Sequence, residues 1–354
     1  MRRRDLIATL PALAWPAAHA LTPRTLRFPR DHGAHPDLRT EWWYITGGAS
    51  SEGREFGFQL TFFRSRVDAT QAMDSKFAAR QLVFAHAALT DVQGRRLWHD
   101  QRIARQGFGV AQAEEGDTRV RLRDWRLERG ADGPHVANLP AEGFGLELRF
   151  EPTQAPLLQG AQGLSRKGPQ PEQASYYYSV PQLAASGTIR LQGRAFEVRG
   201  KAWLDHEWSE ALMHPDAVGW DWIGMNLDDG GALTAFQLRR KDGSALWDGG
   251  SFRAANGTTY IASRGENRFS PQRRWSSPRS GASYPVEWMV QTPADIYTVR
   301  AVIDAQELDS RQSTGAVYWE GLSELLDSNG RRVGRGYLEM TGYRGSLGRI
   351  MSGR

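Results

Sequence analysis

The stretch "TEWWYITGG", residues 40–48, decides the fold. Trp42 and Trp43 are adjacent, flanked by Glu41 and Tyr44, in a run that ends in Gly47-Gly48. Neighbouring residues on a strand point to opposite faces, so the two indoles cannot enter the same core. A strand that carries large aromatics on both sides is covered on both sides. One cover is the interior of its own sheet, and the other is a second domain.

The rest of the chain agrees with a strand reading. Short alternating runs such as "FGFQLTFFR" (56–64), "TRVRLRDWRLE" (118–128), "FGLELRFEP" (144–152), "GTIRLQGRAFEVRG" (187–200) and "ALTAFQLRR" (232–240) have the period of two expected of half-buried antiparallel strands. "DDGG" (228–231), "KDGS" (241–244) and "DSNG" (327–330) supply the glycines that tight hairpin turns require. Helical periodicity is weak, and only residues 68–82 and 320–327 are candidates for short helices. The class is all-β.

The chain also repeats itself. "WWYITGGASSEGREFGFQLTFFR" (42–64) and "WDWIGMNLDDGGALTAFQLRR" (220–240) both run from an aromatic strand through a turn to F-Q-L and arginine. "GKAWLDH" (200–206) matches "GRGYLEM" (334–340), setting Trp203 against Tyr337 and Asp205 against Glu339. With 354 residues the chain exceeds what one core usually organises. The repeats therefore predict two tandem antiparallel β-barrels side by side, residues 21–208 and 209–354. In an up-and-down barrel the first and last strands are neighbours, which sets Trp42 and Trp43 beside Asp205 and His206.

Residues 1–20, "MRRRDLIATLPALAWPAAHA", have the build of an export signal: Arg2–Arg4, a short apolar run, and an Ala-His-Ala cleavage site. The run is too short to span a bilayer, and the arginines resemble a twin-arginine signal, with the general secretory route an equal option. The expected location is periplasmic or secreted. The chain has no cysteine, so neither disulfides nor a lipidated cysteine are available. A net charge of +5 comes from arginines scattered among acids without a basic run, which points away from nucleic acid. One long connection, residues 156–179, ends in Tyr176-Tyr177-Tyr178, either covering something apolar or looping over the surface.

"HPDLRTEWWYITGG", "FGFQLTFFR", "FAHAALTD", "ASYYYSVPQLAASGTIRLQGRAFEVRGKAWLDHEWS" and "GWDWIGMNLDDGGALTAFQLRRKDG" together resemble the lipocalin-like secreted proteins related to carotenoid 1,2-hydratase (hydroxyneurosporene synthase), often labelled predicted secreted hydrolases. The resemblance runs from about His35 to Gly342 and implies two calycin-type barrels. One branch of that family adds water to a terminal alkene of an acyclic isoprenoid. The other comprises exported proteins associated with envelope ABC-type export machinery. The hydratases read H-D-H-N-W where this chain has "LDHEW" (204–208): Asp205, His206 and Trp208 fit, while Leu204 and Glu207 depart. A tyrosine and aspartate expected on a later strand have no counterpart in "GALTAFQL" (231–238).

The strand Lys201 to Trp208 alternates Ala202, Leu204, His206 and Trp208 on one face with Lys201, Trp203, Asp205 and Glu207 on the other. His206 is the first candidate for acid/base chemistry, against the reading of a hydrogen-bonded core histidine. Glu41, beside two tryptophans, is either a buried proton donor or the partner of Arg39 or Arg64. Asp221, between Trp220 and Trp222, carries the same two readings, and Asp205 completes the catalytic candidates. Trp42, Trp43, Tyr44, Trp203, Trp208, Trp222 and Tyr177 are the candidate ligand contacts. Consecutive residues 205–207 diverge and cannot close on one ion, so no metal is expected, and no cofactor motif is present. The leading reading is an exported lipocalin-like protein binding an apolar isoprenoid or lipid in a Trp-lined pocket, accessory to an envelope ABC transport system. The alternative is a hydratase-type lyase acting on an alkene.

Overall fold

The computed structural model describes residues 20–210 and 213–345. Residues 1–19, the body of the expected export signal, lie outside them. Ten strands position the site: β1 (Thr40–Ser51), β2 (Arg54–Arg66), β3 (Gln81–Asp91), β4 (Arg96–Arg105), β5 (Ala174–Leu191), β6 (Arg194–Ser209), β7 (Gly219–Leu227), β8 (Ala232–Arg239), β9 (Ala316–Leu326) and β10 (Arg332–Met340).

They belong to two large antiparallel sheets. The first contains thirteen strands and runs β4-β3-β2-β1-β6-β5, then on through Phe144–Glu151, His135–Ala141, Trp125–Arg129 and Arg119–Leu122 to Ala111–Ala113. Its far strands return to touch β3 and β4, so the sheet curls into a nearly closed barrel. The second contains ten strands and sets β7 and β8 beside β10 and β9, again joining the first strand of the unit to its last. This is the all-β architecture of two lipocalin-like barrels that the repeats predict.

Register fixes what each side chain faces. β1 lies between β2 and β6, with Trp43 opposite His206, Tyr44 opposite Asp205 and Glu41 opposite Trp208. Trp43, Ile45 and Ala49 enter the first barrel's core with Phe56, Phe58, Leu60, Phe62, Leu204 and Trp208. Tyr44 points the other way, into a cluster with Trp203, Trp222, Phe236, Leu322 and Tyr337, and Trp42 packs against the same cluster. The second barrel has its own core around Ile223, Met225, Trp288, Trp319 and Leu338. The tryptophan doublet thus has one ring in a barrel and one between the barrels.

The two units approach closely because small residues allow it. A Cβ on Gly57 would stand 2.8 Å from both Leu322 Cβ and the Tyr337 hydroxyl of the opposite unit. The turns at residues 228–231, 241–244 and 327–330 carry Gly230, Gly243 and Gly330 at positive φ, as the hairpin signals require.

Two local expectations change. Residues 320–327 do not form a helix: 320–326 lie in β9, where pairing of 319–325 with β10 imposes the two-residue period. Residues 68–82 hold a 3-10 turn at Asp68–Thr70 and, from Gln81, the start of β3, with no α-helix. The F-Q-L repeat also hides a change of face. Phe58 and Leu60 point into the first barrel, whereas Phe236 and Leu238 point to the cluster between the barrels, and Gln237 points inward to Asp221. A shift of one residue in strand register reverses every side chain while leaving the sequence match intact. The other repeat keeps its orientation: Trp203 and Tyr337 both lie between the barrels, and Leu204 and Leu338 both lie in their own cores.

Candidate functional site

The strand β6 has a different chemistry on each face. On the inner face His206 sits in a chain of buried hydrogen bonds. Its Nε2 lies 2.9 Å from Glu41 Oε1 and its Nδ1 3.2 Å from the Tyr178 hydroxyl, which also meets His32 Nδ1 at 2.7 Å. Glu41 Oε1 is also 2.7 Å from His35 Nδ1, and His35 Nε2 is 3.0 Å from Asp31. Arg64 donates its Nε to Glu41 Oε2 at 2.8 Å, so of the two arginines proposed for Glu41 the structure supplies Arg64. Trp43 stacks on His206 at 4.8 Å, and Trp208 stacks on His35 at 4.0 Å.

This network is internally complete. Burial pushes the Glu41 carboxyl up, but hydrogen bonds from His206 and His35 outweigh it and hold the group below its ordinary value. Burial dominates at His206 and pushes it down, only partly opposed by Glu41. One ligand atom each from His35, Glu41 and His206 falls within 4.8 Å of the others, a set of types that binds transition metals. All four imidazole nitrogens already have partners, however, and the Arg64 cation occupies the far side of the carboxylate. A hydrogen-bonded core is the better account.

Asp221 occupies the equivalent place in the second barrel. It receives Gln237 Nε2 at 2.8 Å and the Tyr343 hydroxyl at 2.9 Å, with Arg239 Nε at 2.7 Å. Burial raises its pKa, and Arg239 restrains the rise.

The outer face of β6 lines a cavity of ≈ 1120 Å³ between the two barrels. Its wall is aromatic and aliphatic: Trp42, Phe63, Phe84, Trp220, Trp222, Phe236 and Leu238. Of the six carboxyl groups on the lining, Glu41, Asp68 and Glu207 are paired with cations, while Asp205 from β6, Glu320 from β9 and Glu339 from β10 are not. Asp205 accepts hydrogen bonds from Tyr177 Oη at 2.8 Å, Ser179 Oγ at 2.5 Å and Trp203 Nε1 at 2.7 Å. Burial nonetheless raises it to about 7, against those three donors and with help from Glu207. Glu339 is likewise pushed up to about 7 by burial, restrained by Trp220 and reinforced by Asp205 and Glu207.

Glu320 and Glu339 are direct cross-strand partners in the β9–β10 pair. Two ionised carboxylates in that position repel, so the pair holds a proton. Glu320 takes the larger upward displacement, driven first by burial and then by Glu339. Glu207 is neutralised: Lys167 Nζ lies 3.1 Å from its Oε1, and the ammonium sits over the rings of Phe236 at 4.2 Å and Tyr177 at 4.6 Å. Lys167 comes from the long connection between Glu151 and β5, which therefore forms part of the cavity wall.

The candidate residues thus divide. Trp42, Tyr44, Tyr177, Trp222, Asp205 and Glu41 border the cavity; Trp43, Trp203, Trp208, His206 and Asp221 do not. Trp203 acts on the cavity through its hydrogen bond to Asp205, while Trp43, Trp208 and His206 belong to the first barrel's interior. Glu320 was not among the candidates at all, and Glu339 entered only as the repeat counterpart of Asp205. The available signal was an acid within an apolar strand, "YWEGL" (318–322) and "YLEM" (337–340), each paired with aromatics like "TEWW".

Known proteins give the following picture. A crystal structure of an AttH-named protein from Nitrosomonas europaea is 46% identical, with a TM-score of 0.86 over 92% of this chain and all of that one. Kievitone hydratase from Nectria haematococca shares the fold at 11% identity, with a TM-score of 0.68 over 91% of this chain and 97% of that one. CghA, solved with Sch210972, shares it more distantly, at 12% identity and a TM-score of 0.52 over 87% of this chain and 89% of that one. No curated protein matches the sequence. The AttH-like family model matches residues 19–343. The chain therefore belongs to the AttH-like family.

Proposed function

We propose that the protein binds an apolar small molecule of the isoprenoid or lipid class between its barrels and adds water to an alkene there. The observation that carries this reading is the coexistence of a large aromatic cavity with carboxyl groups held near neutral pKa. A passive apolar pocket gains nothing from three buried acids, each of which costs desolvation energy. Acid/base chemistry needs groups whose pKa lies near the operating pH.

The surroundings divide the roles. Asp205 faces donors only, so its lone pairs are presented as acceptors, and it serves as the base that takes a proton from water. The Glu320–Glu339 pair retains a proton and serves as the acid. That proton adds to the alkene carbon, and the resulting cation is stabilised by the rings of Trp42, Trp220 and Trp222. Water supplies the oxygen, and its released proton passes to Asp205. His206, the first candidate from sequence, here only supports the wall.

Shared architecture with a protein named kievitone hydratase supports the hydratase reading. Export to the periplasm and service to an ABC transport system belong to the same proposal, supported by the signal-like residues 1–20. The test is incubation of purified protein with acyclic isoprenoid alkenes. Wild type is expected to yield the tertiary alcohol, and Asp205→Asn and Glu320→Gln are expected to lose at least about 100-fold in rate. A carrier without turnover would instead show ligand-dependent tryptophan quenching and no product from any of the three proteins.

A further inference from the structure

An apolar patch stands in solvent beside the mouth of the cavity. Residues 67–80 connect β2 to β3, a long link for an antiparallel pair, and residues 106–110 follow β4. Together they expose Phe77 (61%), Phe108 (57%), Met73 (47%) and Val110 (39%). Phe77 and Phe108 come from the two different segments and stack, with ring centres 5.5 Å apart and planes 4° apart. Single exposed apolar residues are ordinary, but a cluster built from two loops marks an interaction surface.

The backbone holds this patch in place. Phe108 has φ 56°, between Gly107 at 106° and Gly109 at 72°. Bulky residues rarely adopt that left-handed conformation, and burial does not compensate it here, since the ring faces solvent. Arg105 donates to the Phe77 carbonyl at 2.7 Å and lies over the Phe108 ring at 4.2 Å. Arg80 donates to the Met73 carbonyl at 2.7 Å, and Arg121 to the Gly109 carbonyl at 2.8 Å.

The charge around the rings is positive. Lys76 lies over Phe77 at 5.6 Å, and neither it nor Arg80, Arg105 or Arg121 pairs with a carboxylate among the described residues. The two segments carry two acids: Asp74, which is exposed, and Asp68, which Arg39 and Arg66 already engage. Exposed rings among unpaired cations fit the interfacial layer of an anionic bilayer, where each cation near the surface adds attraction. The cavity also reaches the surface here. The exposed members of its lining are Asp68 and Ala69, in the β2–β3 connection, and Ile103, on β4 close before Arg105.

We propose that this patch docks the protein on an anionic lipid bilayer, with Phe77 and Phe108 in the headgroup layer and the cavity mouth against the membrane. An apolar ligand dissolved in the bilayer then enters the cavity without crossing water. That last step rests on the apolar-ligand part of the proposed function; docking itself stands on the patch alone.

Co-sedimentation with vesicles tests it, using phosphatidylcholine alone and phosphatidylcholine with about one-third phosphatidylglycerol. Wild type is expected to bind the anionic vesicles at least about tenfold more tightly, and to lose that advantage as salt rises to about 0.5 M. Phe77→Ser with Phe108→Ser, and separately Lys76→Gln with Arg121→Gln, are each expected to weaken binding to anionic vesicles by about tenfold. Both double variants are expected to keep the wild-type Tm, since all four side chains are exposed. Equal binding to the two vesicle types, no binding by wild type, or binding that both double variants retain, as binding through residues 1–20 or another face would be, overturns the proposal. A patch that instead joins two copies of the chain, seen as a dimer in sedimentation velocity that Phe108→Ser dissolves, overturns it as well. Tryptophan quenching by an apolar ligand without vesicles judges the cavity separately.

Discussion

The Glu320–Glu339 pair has a thermodynamic signature of its own. A carboxyl whose folded pKa exceeds its unfolded value keeps its proton longer in the folded state. Its stabilisation is full below the unfolded value, 4.5 for Glu339, and is lost as pH rises through about 7. Glu339→Gln removes the burden of ionisation at high pH. The variant is expected to melt with wild type near pH 4.5 and to exceed it at pH 8 by on the order of 1–3 kcal/mol, read by denaturant unfolding at both pH values. Glu41 has the opposite sign. Its pKa is lowered, so its contribution is present above 4.5 and declines as pH falls below that value. Arg64→Met leaves this carboxylate buried without its cation and is expected to cost about 3–5 kcal/mol at pH 7. The double variant with Glu41→Gln is expected to cost markedly less than the sum of the two single changes.

At the scale of elements, β1 and β6 do most of the positioning, and they are also where the sequence was most readable. The doublet Trp42-Trp43 implied covers on both faces, and its register beside Asp205 and His206 followed from barrel closure. What the sequence did not disclose was which face carries a cavity. His206 and Asp205 are neighbours on one strand, yet one lies in the buried hydrogen-bond network inside the first barrel and the other on a cavity wall. Only the shape of the gap between the units separates them, and no local pattern encodes it. The F-Q-L repeat fails for a related reason: identity of residues does not fix which face they turn to. Glu320 escaped notice because the acid belongs to the unit opposite the tryptophan-rich strands, and the helical reading of 320–327 concealed its partner on β10. The seam between the elements is itself testable. Gly57→Val drives a branched side chain against Leu322 and Tyr337 and is expected to destabilise by about 1–3 kcal/mol, seen as a lowered Tm.

For the whole molecule, duplication explains why the site lies between barrels. Each unit has its own aromatic core inside its barrel. Each unit then contributes to the outer seam the equivalent strand, with Trp203 and Asp205 from one and Tyr337 and Glu339 from the other. Two copies of an aromatic-and-acid strand, brought face to face, give an apolar space with acids on both walls. The arrangement needs both units, and no helix among the described residues is long and apolar enough to cross a membrane. The central claim, proton-driven addition of water in this seam, is tested most directly by mass spectrometry. An acyclic isoprenoid alkene is incubated with wild type, Asp205→Asn and Glu320→Gln in heavy-oxygen water. The account predicts one labelled hydroxyl per product molecule with wild type and essentially none with either variant. Equal incorporation by all three proteins, or none by wild type on any alkene that quenches its tryptophans, would contradict it.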